Sequence, residues 1–499
     1  MGSRGHVVML PMMAHGHLIP FLSLARQIEQ RSGFTITIAN TPLNIQYLQS
    51  TITSPEPNIH LVELPFINTD HGLPPNTENT EDLTLNLIIN LCKSSISLKT
   101  PCQNLIQDII DKEGQPPLCI ISDVFFGWAS EVAKSTGTVN VTFTTCGAYG
   151  TLAYSSMWLN LPHRHKIDDS GEFNVPGFPD HCRFHVTQLH SFLRNADGFD
   201  SWSKFMQTQI SLSLKSCGWL CNTIEEIEPL GLQRLRDYVK VPIWSIGPLL
   251  PPAVLLKESS PTHSSINRQR AGKIPGISAE ECIEWLNSHS SSSVVYISFG
   301  SQNTISPSQM MGLANGLEMA KKPFIWVIRP PIGFNIKGEI KPEWLPEGFE
   351  DRMKKSKQGL LVKNWAPQLD ILSHNSTGAF LSHCGWNSVL ESLSQGVPMI
   401  GWPLAAEQTY NSKMLVEEMG VSVELTRGVE GVVEGSEVKR VIDLVMDKNG
   451  ILGQNMKKKA WEIREQIRAA VRDDGESKGS SVKALNDFVS AIQNQKINA

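Results

Sequence analysis

Residues 381–398 read LSHCGWNSVLESLSQGVP: an apolar strand runs into His383, Cys384, Gly385, Trp386, Asn387 and Ser388, and a helical pattern follows. The first turn of a helix presents unpaired backbone N–H groups and a partial positive charge, which together attract anions. One cap would suffice to start the helix. The His383 ring, the Asn387 amide and the Ser388 hydroxyl supply more donors than that, and a diphosphate has the charge and the acceptor oxygens to use them. Ser301, in SFGS after another strand end, can reach the same group. Glu391 lies four residues beyond Asn387 and so on the same helix face, where a carboxylate suits ribose hydroxyls. Trp365, in the run WAPQ, offers a flat indole for stacking on a base, with Gln368 able to hydrogen-bond to it. Each residue alone has an ordinary alternative: Asn387 or Ser388 as a cap, His383 in a loop, Glu391 solvated, Trp365 in the core. The set, at the end of a parallel strand, favours a nucleotide diphosphate. Cys384 reads as a small packing residue.

The first half holds a different kind of chemistry. His15 and His17 stand between the first apolar run and the helix containing Pro20. A neutral imidazole, with a reference pKa of about 6.5, accepts a proton at neutral pH, so the two are rival general bases. A carboxylate that supports the resulting cation would help, and Asp123, ending PLCIISD, is a candidate. It could equally cap the helix that follows. His15-x-His17 and His163-x-His165 lack Cys or carboxylate partners at metal-site spacing and read as loop histidines, so no metal is expected.

These groups need strands and helices to place them. HVVMLPM (6–12), a helix over 19–31 and FTITIAN (34–40) form a βαβ unit, and hence a parallel sheet. PLCIISD (117–123), a helix through Val132 and NVTFTT (140–145) repeat it. After IWSIGPLLPP (243–252) the composition turns to Ser, Pro and basic residues without periodicity, an exposed linker over 251–275. Alternation then resumes through SVVYISFG (293–300), a helix near 307–320, FIWVIR (324–329), GLLVKNW (359–365), GAFLSH (378–383), a helix to Gln395, and VPMIGWP (397–403). The expectation is two doubly wound α/β domains, 1–250 and 276–499, facing each other across a cleft, with ligands beyond the carboxyl ends of the strands. The last helix is expected to pack back on the first domain.

Composition narrows the function. The 499 residues are 40% hydrophobic and 19% charged, which favours large cores over disorder. A net charge of −5 offers no basic field for nucleic acid. Nine scattered cysteines without a CxxC pair read as reduced thiols of a cytoplasmic protein. The chain shows no convincing leader and no apolar run long enough to span a membrane. No G-x-G-x-x-G follows a strand and no P-loop is present, which weakens oxidoreductase and NTPase readings. Asp-x-Asp is also absent, so a metal-bridged diphosphate has no obvious ligands.

The stretch from Trp365 to Gln408, WAPQLDILSHNSTGAFLSHCGWNSVLESLSQGVPMIGWPLAAEQ, resembles the 44-residue signature box of plant family 1 UDP-dependent glycosyltransferases of small molecules. The likeness extends through GHLIP near the start and SFGS in the middle. The resemblance implies a GT-B fold of two Rossmann-like domains, with a UDP-sugar as co-substrate and no cofactor. It implies that Trp365 stacks on uracil while Gln368 and the Ala366 backbone hold its edge. Glu391 then takes the ribose, and His383, Asn387, Ser388 and Ser301 hold the diphosphate. Trp386, Glu407, Gln408 and Thr145 surround the sugar, and a final Gln in the box is associated with glucose. His17, three residues before the Pro of GHxxP, becomes the base, with Asp123 as its support. The role of His15 stays open.

Phe125, Phe126, Tyr149, Ala406 and segments within 180–210 are candidate contacts for an acceptor, which a pocket of this kind would select as a flat or bulky apolar molecule with a hydroxyl, such as a flavonoid, another phenolic or a terpenoid. Direct in-line attack would invert the anomeric carbon and yield a β-glycoside. The alternative is a nucleotide-sugar-binding protein on the same fold with little turnover. Acceptor identity, regiochemistry and oligomeric state are not encoded legibly.

Overall fold

The computed structural model describes residues 5–52, 54–165, 167–255, 276–336, 338–475 and 477–494. The chain divides into two compact units, Met1–Leu250 with Ala469–Ala499, and Pro251–Arg468. Residues 256–275, most of the expected linker, lie outside the described residues. Just before them, Val254 packs with Leu369 of the second unit.

The first unit is built on seven strands: β1 (His6–Leu10), β2 (Thr35–Asn40), β3 (Ile59–Glu63), β4 (Cys119–Asp123), β5 (Asn140–Thr144), β8 (Trp219–Cys221) and β9 (Ile243–Ser245). A small antiparallel hairpin, β6 (Glu172–Phe173) and β7 (Phe184–His185), stands apart. The sheet order is β3-β2-β1-β4-β5-β8-β9, parallel throughout. Parallel strands are covered on both faces, which explains why β1, β4 and β5 are buried along their whole length. Helix His15–Ser32 buries Leu18, Phe21, Leu22, Leu24, Ala25 and Ile28, and Phe21 meets Phe143 of β5 at 4.8 Å between ring centroids. It ends on Gly33, whose left-handed φ of 67° lets its N–H reach Glu29 O.

This helix begins four residues before the periodic pattern that starts at residue 19. The Ala14 carbonyl accepts from both His17 N and Leu18 N at 2.9 Å, so Pro20 sits inside the helix. His17 therefore belongs to a first helical turn rather than to a loop. The C-terminal helix Ser480–Gln493 belongs to the first unit: Leu485, Phe488, Val489 and Ile492 join its core, and Phe488 meets Trp244 edge-on at 5.2 Å.

The second unit contains β10 (Val294–Ser298), β11 (Phe324–Ile328), β12 (Gly359–Lys363), β13 (Thr377–Ser382), β14 (Met399–Gly401) and β15 (Ser422–Glu424), all parallel, in the order β12-β11-β10-β13-β14-β15. Helix Pro307–Ala320 packs closely on Gly435–Met446. A Cβ on Gly316 would lie 2.4 Å from Val438 Cβ, so only glycine permits that approach. Each sheet reverses its winding beside one strand, β1 in the first unit and β10 in the second. Such switch points open a crevice at the carboxyl ends of the strands.

Candidate active site

In the first unit, three polar side chains converge at the switch point. β1, β4 and β5 are neighbours, with Leu10 opposite Ser122 and Asp123 opposite Phe143. Residues at or just beyond their carboxyl ends are thereby brought together, although His17 lies more than 100 positions from Asp123 and Thr145. His17 Nδ1 is 2.6 Å from Asp123 Oδ2 and 3.3 Å from the Thr145 hydroxyl. Asp123 is wholly buried, while the His17 side chain keeps 24% of its surface. The other carboxylate oxygen of Asp123 accepts the Phe125 N–H at 3.1 Å. An ionised carboxylate only accepts, so the hydrogen of the short bond sits on His17 Nδ1, leaving Nε2 with a lone pair.

His15 has a different environment. Its ring stacks on Tyr47 at 3.8 Å, and its Nδ1 lies 2.7 Å from a Glu81 carboxylate oxygen. It joins helix His15–Ser32 to two other segments and stays apart from the Asp123 cluster.

In the second unit, β10 and β13 are paired, Ser298 opposite Ser382, so the SFGS loop and the start of helix Trp386–Ser394 are adjacent. The His383 ring fills the space between them. A Cβ on Gly300 would lie 2.7 Å from this ring, and one on Gly385 2.4 Å from its Nε2. Two glycines therefore let the ring sit against backbone on both sides. Burial lowers the His383 pKa to about 4, with the Arg329 charge adding to the effect, so the ring is neutral. The helix N-cap is Gly385, and it provides no side-chain cap. Neither Asn387 nor Ser388 serves as the cap; Ser388 Oγ instead accepts from Gln368 Nε2 at 3.1 Å.

Gln368 is the centre of a buried network. Its Nε2 also donates to Glu391, which is fully buried, and its Oε1 accepts from the Tyr296 hydroxyl at 3.1 Å. Trp365 is half-buried and Ala366 buried, both between β12 and helix Gln368–Ser373. Trp386 is buried in the first turn of its helix. Gln408 Oε1 accepts from Leu404 N at 3.0 Å and Ala405 N at 2.9 Å, which directs its –NH2 as the group left to offer. Glu407 precedes it as helix N-cap, and Ala406 occupies a left-handed turn with φ of 51°.

Comparison with known proteins identifies the family. Residues 261–451 match the family model for UDP-glucoronosyl and UDP-glucosyl transferases. The chain is 43% identical to UDP-glycosyltransferase 92A1 of Arabidopsis thaliana, covering 98% of each. It is 48% identical to crocetin glucosyltransferase 3 of Crocus sativus, over 89% of this chain and 91% of that one. Among solved structures, Medicago truncatula UGT71G1 complexed with UDP-glucose superposes with a TM-score of 0.79 at 26% identity, covering 98% of both chains. A Glycyrrhiza uralensis relative, UGT73P12 complexed with glycyrrhetinic acid 3-O-monoglucuronide, reaches 0.82 at 26% identity, covering 99% of this chain and 98% of that one.

The chain belongs to the plant family 1 UDP-glycosyltransferases. It is a small-molecule glycosyltransferase with the GT-B fold.

Two of the glycosyltransferase's expected acceptor contacts are placed elsewhere. Phe126 and Tyr149 are each 1% exposed; Phe126 stacks on Trp128, and Tyr149 meets Phe178 edge-on at 4.9 Å. They are core residues, because the strand-end segments that carry them turn these rings inward. Phe125 lies by His17, at 5.9 Å between rings.

The structure also reveals contributors that no motif marked. Arg329, the charged residue closing FIWVIR, donates to Ser301 O at 2.5 Å and to Asn364 O at 3.0 and 3.1 Å, tying the SFGS loop to the residue before Trp365. Its signal was a lone cation at a strand's carboxyl end. Cys384 is buried with its thiol pKa pushed up to about 12 by burial, which fits a packing role. Among the described residues, no cluster of three or more His, Cys, Asp or Glu could hold a metal ion, and no helix is long and apolar enough to cross a membrane.

Proposed function

We propose that the enzyme transfers glucose from UDP-glucose to a hydroxyl of a small apolar acceptor with inversion, giving a β-glucoside, and that His17 is the base. The observation that carries this reading is the 2.6 Å bond between His17 Nδ1 and buried Asp123. It orients the ring, leaves Nε2 basic and stabilises the imidazolium once formed. The acceptor hydroxyl gives its proton to Nε2 while its oxygen forms the bond to the anomeric carbon. The bond from that carbon to the β-phosphate oxygen breaks, and UDP leaves with the electron pair.

The departing charge settles on the uncapped tip of helix Trp386–Ser394, with His383, Asn387, Ser388 and Ser301 as added donors. Since His383 is neutral, it serves as a hydrogen-bond donor rather than a counter-ion. Trp365 stacks on uracil beside the Ala366 backbone. The bond between Gln368 and Glu391 couples uracil-edge and ribose recognition in one network. Trp386, Glu407, Gln408 and Thr145 surround the sugar. Glucose is supported by the glucosyltransferase names of relatives, including a scopoletin glucosyltransferase of Nicotiana tabacum at 32% identity, and by the Gln at 408. Those names also support an apolar or phenolic acceptor.

Incubation with UDP-glucose and a panel of phenolic, terpenoid and carboxylated acceptors tests the proposal. UDP release and a β-anomeric proton signal in the product are expected. An α-linked product would refute in-line attack. UDP-glucose binding without transfer to any acceptor would favour the binding-protein alternative.

A further inference from the structure

A string of partly exposed rings leads away from His17 within the first unit. Phe125 is 5.9 Å from His17, Tyr154 lies 6.2 Å from Phe125, and His190 lies 6.2 Å from Tyr154. Phe192, 6.1 Å from His190, and Trp202, stacked on Phe192 at 5.2 Å, continue it. All six residues are partly exposed, in contrast to Phe126, Tyr149 and Trp158, which are closed into the core. A chain of partly exposed aromatic residues that starts at the proposed base suits a flat apolar molecule.

Within this chain of residues the His190 imidazole is distinctive. His190 Nδ1 accepts the Leu193 N–H at 3.4 Å, capping helix Ser191–Asn195. Burial, with the Arg194 charge beside it, lowers the ring's pKa to about 4, so the ring is neutral. An accepting Nδ1 on a neutral ring puts the hydrogen on Nε2. That Nε2 is buried and has no hydrogen-bond partner among the described residues. Leaving a buried donor unmatched is unfavourable, so a polar partner for it is expected.

We infer that His190 is a specificity-determining residue whose Nε2–H pairs with a second oxygen of the acceptor, remote from the hydroxyl that is glycosylated. This rests on the proposed transfer reaction at His17. The acceptor class it selects is elongated and aromatic or polyene-like, with a hydroxyl at one end and a carbonyl, carboxylate, ether or hydroxyl oxygen at the other. A site built around a donor rejects analogues lacking the matching atom far more strongly than an apolar site discriminates by shape.

The test uses 4-hydroxystilbenes carrying a 4′-methoxy, 4′-hydroxyl or 4′-methyl group, with UDP-glucose as donor. The wild-type enzyme is expected to favour the two oxygenated compounds over the methyl one by about tenfold or more in kcat/KM. His190→Phe keeps the aromatic surface and removes the donor, and should level the three by slowing the oxygenated pair, with the UDP-glucose KM unchanged. His190→Asn retains an N-cap acceptor for Leu193 but is too short to reach the remote oxygen, so it should level them as well even if the Phe variant folds poorly. Equal use of the three compounds by the wild type, or an undiminished preference in both variants, overturns the inference while leaving transfer at His17 intact. Failure of the wild type to transfer glucose to any of them, with UDP-glucose bound, overturns both the inference and the acceptor reading on which it rests. Failure to bind UDP-glucose instead strikes at the proposed function itself.

Discussion

Helices Ala148–Asn160 and Trp386–Ser394 both follow a parallel strand, yet their tips are treated oppositely. In the first, the buried Glu228 carboxylate accepts from Ala148 N at 3.0 Å and Tyr149 N at 2.9 Å. Its positive end is neutralised by the protein itself. In the second, Gly385 caps without a side chain and polar donors gather alongside. The same local geometry meets a carboxylate in one unit and, in the other, a glycine cap at the tip to which the proposed function assigns the diphosphate. Both N-caps are glycine, Gly147 and Gly385, so the difference lies in whether the tertiary fold brings a carboxylate up to the tip, as it does with Glu228.

The comparison can be broken by moving charge. Asn387→Asp puts a carboxylate in the first turn of helix Trp386–Ser394, where it stabilises the helix but would repel a diphosphate bound there. UDP affinity measured by calorimetry is expected to fall by about 10–100-fold, with no loss of folding stability. Unchanged affinity would mean that the diphosphate binds elsewhere. Glu228→Gln is the converse change. It turns one acceptor into a donor facing a backbone N–H, so denaturant unfolding should show a loss of about 1–3 kcal/mol while UDP affinity stays the same. A loss of UDP binding on that substitution would contradict the division of labour between the two tips.

Acid sharpens the contrast more gently. His163, His190 and His383 are each lowered by burial from 6.5 to about 4. Unfolded, each takes a proton near 6.5; folded, only near 4. Stability is therefore unaffected by them above pH 7, declines as pH drops below about 6.5, and stops declining on their account below about 4. Unfolding curves at pH 7 and pH 5 should differ accordingly, and His163→Phe should reduce the difference if the variant folds.

Much of this architecture was legible in the chain. Parallel strands that are buried on both faces read as apolar runs, and Val294–Ser298 and Phe324–Ile328 stood out for that reason. The missed strands include a partly exposed edge, Ile59–Glu63, and short ones of three residues, Trp219–Cys221, Ile243–Ser245 and Ser422–Glu424, too short for periodicity to register. Apart from Ser301, the nucleotide-binding candidates lie within the 44 consecutive residues from Trp365 to Gln408, so their spacing carried the signal. His17 and Asp123 are 106 residues apart and meet because β1 and β4 are neighbours, a fact of topology that only the resemblance anticipated. The burial of Phe126 and Tyr149, the capping by Glu228 and the orphan nitrogen of His190 depend on tertiary packing and had no local mark.

The central claim is that proton removal and leaving-group stabilisation are done by separate, separately built sites. His17→Ala tests it most directly, through single-turnover glucose transfer and UDP affinity measured on the same preparation. The account predicts that transfer falls by about 10²–10⁴-fold while UDP affinity stays within about twofold. Undiminished transfer, or a loss of transfer fully explained by lost UDP binding, would contradict it.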